Sequence, residues 1–172
     1  MAENKVYYPF VHVEEVTSIL NKIAIFGGLN QTQLAEVFKR LEVVRYEEGE
    51  FIYEQGNAPS HIYIIKKGEV KIMVDAEETS LELASFGVGD CFGETSVIGI
   101  QSHSTNALAS ASTELIVLER SALLKIFEED KELFGMLILN IARETARRLH
   151  RLDEALTRFI VEEQKHNKGP RL

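Results

Sequence analysis

The spacing of apolar residues changes twice along the chain. Val13, Val16, Leu20 and Ile23 recur at helical intervals and predict a helix over Val13–Ala24. Phe26-Gly27-Gly28-Leu29 interrupts it. Asn30 then stands as an N-cap with Gln33 three residues on, the arrangement of a capping box. Leu34, Val37, Phe38 and Leu41 follow at i, i+3, i+4 and i+7, so a short amphipathic helix is predicted over Asn30–Leu41. Beyond it the segments shorten. Val43–Tyr46, Phe51–Glu54, His61–Ile65, Glu69–Val74, Leu81–Phe86, Thr105–Ala111 and Glu114–Leu118 are predicted strands, most of them β-branched or aromatic. Glycine-bearing turns such as Gln55-Gly56-Asn57 and Lys66-Lys67-Gly68 separate many of them. Short strands at this spacing predict a sandwich or barrel.

Helical spacing returns at Arg120. Ser121–Glu128 reads as a short helix, and Asp130 as the cap of a long one reaching about Gln164. Leu133–Ile141 is apolar nearly all round and should pack on the barrel. From there the stripe narrows to Ala142, Leu149 and Leu156, with Thr145, Leu152 and Phe159 three residues after each. That is a heptad seam, and a helix this long cannot bury it on a small domain. A parallel homodimer is the simplest partner. The expected layout is an N-terminal segment and helix (1–24), a barrel (25–128), a long helix (129–165) and a tail (166–172). The fold class is mostly β with flanking helices.

Composition narrows the function classes. The 172 residues are 45% hydrophobic and 27% charged, as in a globular domain. No apolar run approaches the roughly 20 residues that cross a bilayer, and no secretory signal opens the chain, so no membrane partner and a cytoplasmic setting are expected. Cys91 is the sole cysteine, which excludes an internal disulfide and a thiolate zinc cage. The net charge of −8 speaks against whole-chain attraction to nucleic acid. Charge is unevenly spread. Ile72–Glu119 contains no Lys or Arg but eight acids, whereas nine basic residues against six acids follow from Lys131 onward. Arg143, Arg147, Arg148, Arg151 and Arg158 read as a solvated helix face, since no DNA-reading motif accompanies them. The five histidines show no metal-ligand spacing, and no nucleophile elbow or GxxxxGK loop is present, so neither a metal nor catalysis is expected. Tyr7, Tyr8, Pro9 and Phe10 form an apolar knot read as packing.

The ordered set Gly49-Glu50-Phe51-Ile52-Tyr53-Glu54-Gln55-Gly56, Ile62 to Val70 and Gly89-Asp90-Cys91-Phe92-Gly93-Glu94 resembles the cyclic-nucleotide-binding domain family, in the layout of the bacterial Crp/Fnr-type regulators. The resemblance covers about Ile25 to Leu156. It implies a double-stranded β-barrel of jelly-roll type whose last helix forms a dimer. It also implies a ligand site around Phe92, Gly93, Glu94, Thr95 and Ser96, where backbone amides meet a cyclic phosphate and the Glu94 carboxylate meets a ribose hydroxyl. His103, Ser104 and Thr105 complete the cassette, and here the sequence departs from the pattern. The family places a phosphate-clamping arginine where His103 stands, and the nearest Lys or Arg along the chain are Lys71 and Arg120. His103 is a phosphate ligand when protonated, a surface loop residue, or a metal or haem ligand. A second departure is Leu152-Asp153, where the bacterial cAMP regulators carry a Thr-Ser pair after Ala146-Arg147-Arg148-Leu149. A Crp/Fnr-type transcription factor continues into a helix-turn-helix, for which the residues after Phe159 leave no room, so no DNA binding is expected.

These readings combine into a stand-alone regulatory domain that senses a ligand and acts through contact with another protein. cAMP or cGMP is the expected ligand, held weakly, with no required cofactor. The alternatives are a ligand-free dimerisation module and, third, a cupin-like enzyme.

Overall fold

The computed structural model describes residues 5–10, 19–76 and 79–167. Its strands are β1 (Tyr8–Pro9), β2 (Leu41–Tyr46), β3 (Phe51–Tyr53), β4 (His61–Lys67), β5 (Val70–Ala76), β6 (Thr79–Phe86), β7 (Cys91–Phe92), β8 (Asn106–Ala109) and β9 (Thr113–Glu119). Its helices are α1 (Gln31–Phe38), α2 (Glu94–Gly99), α3 (Arg120–Glu129) and α4 (Lys131–Asn167). The strands form two antiparallel sheets, ordered β1-β2-β9-β4-β7 and β3-β8-β5-β6. They face each other as the two halves of a jelly roll, with helices on the outside of the first sheet.

β4 and β9 explain that layering. On β4, Tyr63 and Ile65 point into the barrel with Val44, Phe92, Leu115 and Val117. Ile62 and Ile64 point the other way, into a second core with Ile116, Leu118, Phe26, Phe38, Leu123, Ile126, Leu133 and Leu137. Strands buried on both faces need no alternation, so they appear in sequence as continuous apolar runs. β6, at a sheet edge, keeps Leu81 and Leu83 largely exposed.

Both predicted caps are present. The Asn30 side chain accepts from the Gln33 amide at 2.9 Å while the Gln33 side chain accepts from the Asn30 amide at 3.0 Å. Asp130 accepts from the Leu133 amide at 2.9 Å and starts α4. The first turns of α4 pack on the domain as expected, with Leu133, Leu137 and Ile141 buried. Asn140, also buried, donates to the carbonyls of Ile25 (3.1 Å) and Gly27 (2.7 Å), tying the helix to the segment before α1.

Several boundaries differ from the expectations. Most of the helix expected over Val13–Ala24 lies outside the described residues. Its described end is not α-helical: Leu20–Lys22 and Ala24–Phe26 are separate 3-10 turns, because Ile23 between them is extended. The following helix stops at Phe38, and Leu41, expected as its last apolar contact, opens β2 instead. Leu41 is buried in either role, so its apolar character does not distinguish them. The strand expected over Thr105–Ala111 is confined to Asn106–Ala109, and α4 continues to Asn167. Of the apolar knot, Phe10 is buried, Tyr7 stacks on His61 at 4.9 Å, and Tyr8 is an exposed strand residue.

Candidate functional site

The expected ligand segment runs from the end of β7 into α2. Gly93 adopts φ +80, and a β-carbon there would sit 3.0 Å from both the His61 carbonyl oxygen and the Tyr63 ring. Only glycine meets both conditions, a left-handed backbone and no room for a side chain. This geometry turns the chain sharply out of β7, so Glu94 begins α2 pointing inward and only 1% exposed.

A carboxylate so deeply buried requires partners. Oε1 accepts from Nη1 of Arg148 at 2.9 Å. The same guanidinium donates through Nη2 to the Cys91 carbonyl and through Nε to Glu144 at 3.2 Å, and it lies 4.7 Å above the Phe86 ring. Glu144 is shared further with Arg147 (2.7 Å) and Arg151 (3.6 Å). The other Glu94 oxygen, Oε2, is buried with no hydrogen-bond partner among the described residues. Burial pushes the Glu94 carboxyl above its ordinary value, and the Arg148 charge pulls it part of the way back. Cys91 is an inert neighbour, its thiol pushed up to about 12 by burial.

The other half of the cassette is aromatic. His103 is 4% exposed, so it is not the surface loop residue that one reading made it. Its ring stacks on Tyr53 at 3.7 Å with an 8° tilt. Its backbone accepts from the Gly56 amide and donates to the Asn57 carbonyl, which fixes the loop. Burial holds the imidazole below its ordinary value, so it is neutral near pH 7. Tyr53 links the halves: its ring covers His103, its hydroxyl bonds Thr105, and it lies within the electrostatic reach of Glu94 and Arg148. Phe92 stacks between Tyr63 (5.0 Å) and Phe86 (6.3 Å) in the barrel core. Ser96 is buried, whereas Thr95 and Ser104 face solvent. No metal-binding cluster of His, Cys, Asp or Glu occurs among the described residues.

The sequence-based reading missed Arg148, Tyr53, Phe86 and Glu144. Arg148 was grouped with a solvated face, yet it enters the site from 54 residues away and places a cation beside Glu94. The signal available was the Ala146-Arg147-Arg148-Leu149 stretch, which carried part of the resemblance. Along the outer part of α4, Leu149 (59% exposed), Leu152, Leu156 and Phe159 are uncovered in the single chain, as is Ala142, with Thr145 half-buried. Among the described residues no helix is long and apolar enough to cross a membrane.

Comparison with known proteins agrees with this geometry. The family described as cyclic nucleotide-binding domain matches residues 43–130. A cGMP-dependent protein kinase of Plasmodium berghei is 31% identical over 112 residues, which are 64% of this chain but 13% of the kinase. The catabolite activator protein of Thermus thermophilus superposes with a TM-score of 0.71 at 27% identity, over 81% of this chain and 64% of that one. A cyclic nucleotide-binding domain from Methylobacillus flagellatus has the same fold, with a TM-score of 0.77 at 23% identity, over 90% of this chain and 88% of that one. Together with the left-handed Gly93, the inward Glu94 and the two-sheet barrel, the match over residues 43–130 means that the chain belongs to the cyclic nucleotide-binding domain family, in the jelly-roll form of the Crp/Fnr-type sensors.

Proposed function

We propose that this chain is a regulatory domain without catalysis of its own, acting in the cytoplasm, in which ligand binding at Glu94 is passed to the long helix and read there by another protein surface. The observation that carries the reading is the divided Glu94 carboxylate. One oxygen is held by Arg148 of α4, and the other has no hydrogen-bond partner among the described residues. A ligand hydroxyl donated to Oε2 would change the field that holds Arg148, and with it the seat of α4. The protein surface is a second copy of the chain, joined along Ala142, Thr145, Leu149, Leu152, Leu156 and Phe159; burying those leucines would remove apolar area from water.

Binding of cAMP or cGMP is weak in this reading, because neutral His103 stands at the phosphate-clamp position. Losing one member of a desolvated charge pair costs about 2–5 kcal/mol. At about 1.4 kcal/mol per decade, a micromolar site falls to dissociation constants of roughly 30 μM to above 1 mM. Calorimetric titration with both nucleotides at pH 7.5 should give values in that range, and light scattering should give a dimer that Leu149→Lys with Leu156→Lys converts to monomers. Micromolar or tighter binding would remove the weak-cassette reading. A monomeric wild type at micromolar concentration would remove the helix seam.

A further inference from the structure

We propose that the N-terminal strap, residues 5–10, sets the ligand cassette from outside the barrel, with Tyr7 as its positioning residue. The inference rests on the reading of the Gly93-Glu94 turn as the ligand contact and adds a second element, besides Arg148, that governs it. The strap is held chiefly by side chains. Its strand β1 contributes two residues, paired with Val43 and Glu42, and one of them is Pro9, which has no N–H to donate. At one end Lys5 Nζ lies 2.5 Å from Glu50 and 4.8 Å above the Tyr46 ring. At the other, Phe10 is buried and meets the Phe38 ring edge to face at 5.9 Å. Between them Tyr7 shares a side-chain hydrogen bond with Tyr46 and lays its ring on His61, 4.9 Å away and tilted by 9°.

His61 is where the strap reaches the cassette. It is the first residue of β4, and β7 pairs with Tyr63 and Ile64 rather than with it. Its strand partner, Glu119, is the last residue of β9. A residue at the end of two paired strands frays unless side chains seat it. For His61 these are the Tyr7 ring and, at Nδ1, the Ser60 hydroxyl at 2.8 Å, which also bonds the Tyr63 side chain. The His61 carbonyl oxygen, in turn, lies 3.0 Å from where a β-carbon on Gly93 would stand, and the Tyr63 ring lies as close. Gly93 therefore turns against a carbonyl and a ring that Tyr7 and Ser60 keep in place. Contacts this close pass a shift of His61 on to Gly93 rather than absorb it. The strap's own fastening is adjustable. The Lys5 and Glu50 side chains are 24% and 30% exposed, so salt screens their attraction.

The test is amide NMR on the full chain, read well below the melting temperature so that a loss of global stability does not register. Tyr7→Ala should displace the Gly93, Glu94 and Thr95 amide signals. Tyr7→Phe keeps a ring on His61 and should leave them in place, as should Tyr8→Ala on the 58% exposed neighbour. Should Tyr7→Ala fail to fold, Tyr7→Leu, which keeps apolar volume without the ring, must displace the same three signals. Changes confined to β1, β2 and His61 overturn the inference, as does an equal displacement by Tyr8→Ala. Calorimetry with cAMP and cGMP supplies the second reading. Loss of the ring stack should weaken a nucleotide that the wild type binds by about threefold or more, and equal affinity in the two proteins overturns the inference. If neither protein binds either nucleotide, the reading of Gly93-Glu94 as the ligand contact fails, and the amide signals alone decide whether Tyr7 positions the turn.

Discussion

Arg148→Met isolates the role of the buried ion pair. In the wild type, Glu94 is 1% exposed and Arg148 holds one of its oxygens at 2.9 Å, with the arginine side chain 19% exposed. Removing the cation leaves a buried carboxylate with neither oxygen paired by a charge. Breaking a buried pair from one side typically costs about 3–5 kcal/mol. In a domain of this size each kcal/mol moves the melting temperature by about 2–4 °C, so a fall of roughly 6–20 °C is expected at pH 8. The loss should depend on pH in a set direction. Burial already holds the Glu94 carboxyl above its ordinary 4.5, and without Arg148 only a hydrogen bond from its own backbone amide is left to oppose that. A carboxyl raised in the folded state binds its proton more tightly there than in the unfolded chain. Its contribution is therefore full below the unfolded value and is lost as pH climbs through the folded one. Thermal unfolding of wild type and variant at pH 5 and pH 8 should show the smaller gap at pH 5. Adding Glu94→Gln to Arg148→Met should recover much of the loss at pH 8, since no buried charge is then left. A gap below about 1 kcal/mol, or one equal at both pH values, would refute the argument that the pair is desolvated and mutually required.

Ile100 ends α2 in the left-handed region at φ 51, and it is 70% exposed. A side chain there costs about 1–2 kcal/mol, against about 0.5–1 kcal/mol of extra chain entropy for glycine, so Ile100→Gly should stabilise the protein by up to about 1.5 kcal/mol in urea unfolding. Destabilisation by this change would mean that the Ile100 side chain makes a contact its exposure does not suggest. His61 and His103 are both held below their ordinary 6.5 by burial, with Glu119 opposing the shift at His61. Their stabilisation is present above that value and is lost as pH falls through the folded ones, because the unfolded chain takes the protons first. Wild-type melting temperature should therefore begin to drop below about pH 6.5, and His103→Phe should flatten part of the drop. Identical profiles for the two proteins would place the cause elsewhere.

What the sequence made legible was whatever is written in neighbouring residues. The Asn30–Gln33 capping box and the Asp130 cap are local hydrogen bonds between residues three apart, so type and spacing identify them. The apolar runs Ile62–Ile65 and Leu115–Leu118 disclosed strands, because burial on both faces leaves no polar gaps. β1 and β7 are two residues each, too short to display any period. In the site, Gly93-Glu94 was readable from its glycine turn, but its partner was not. Arg147 and Arg148 are adjacent and chemically identical. One pairs at the surface with Glu144, and the other reaches the barrel with its side chain 19% exposed. Which of two neighbouring arginines turns inward is fixed by where α4 lies on the sheet, a tertiary fact without a local signature. Tyr53 was one more inward strand residue until the fold set it against His103.

The manner in which α4 is fastened has a mechanical consequence. Asn140 clamps the helix near its root to the Ile25 and Gly27 carbonyls, and two turns later Arg148 bolts it to the Cys91 carbonyl and Glu94. Past that second bolt, residues 149–167 continue as one uninterrupted rod, about 28 Å at 1.5 Å per residue. Two fasteners confined to the first half of the helix make a pivot and a lever arm. A tilt of about 5° set by the Arg148 bolt would carry the far end through roughly 2–3 Å over that length, while the bolt itself moves by far less.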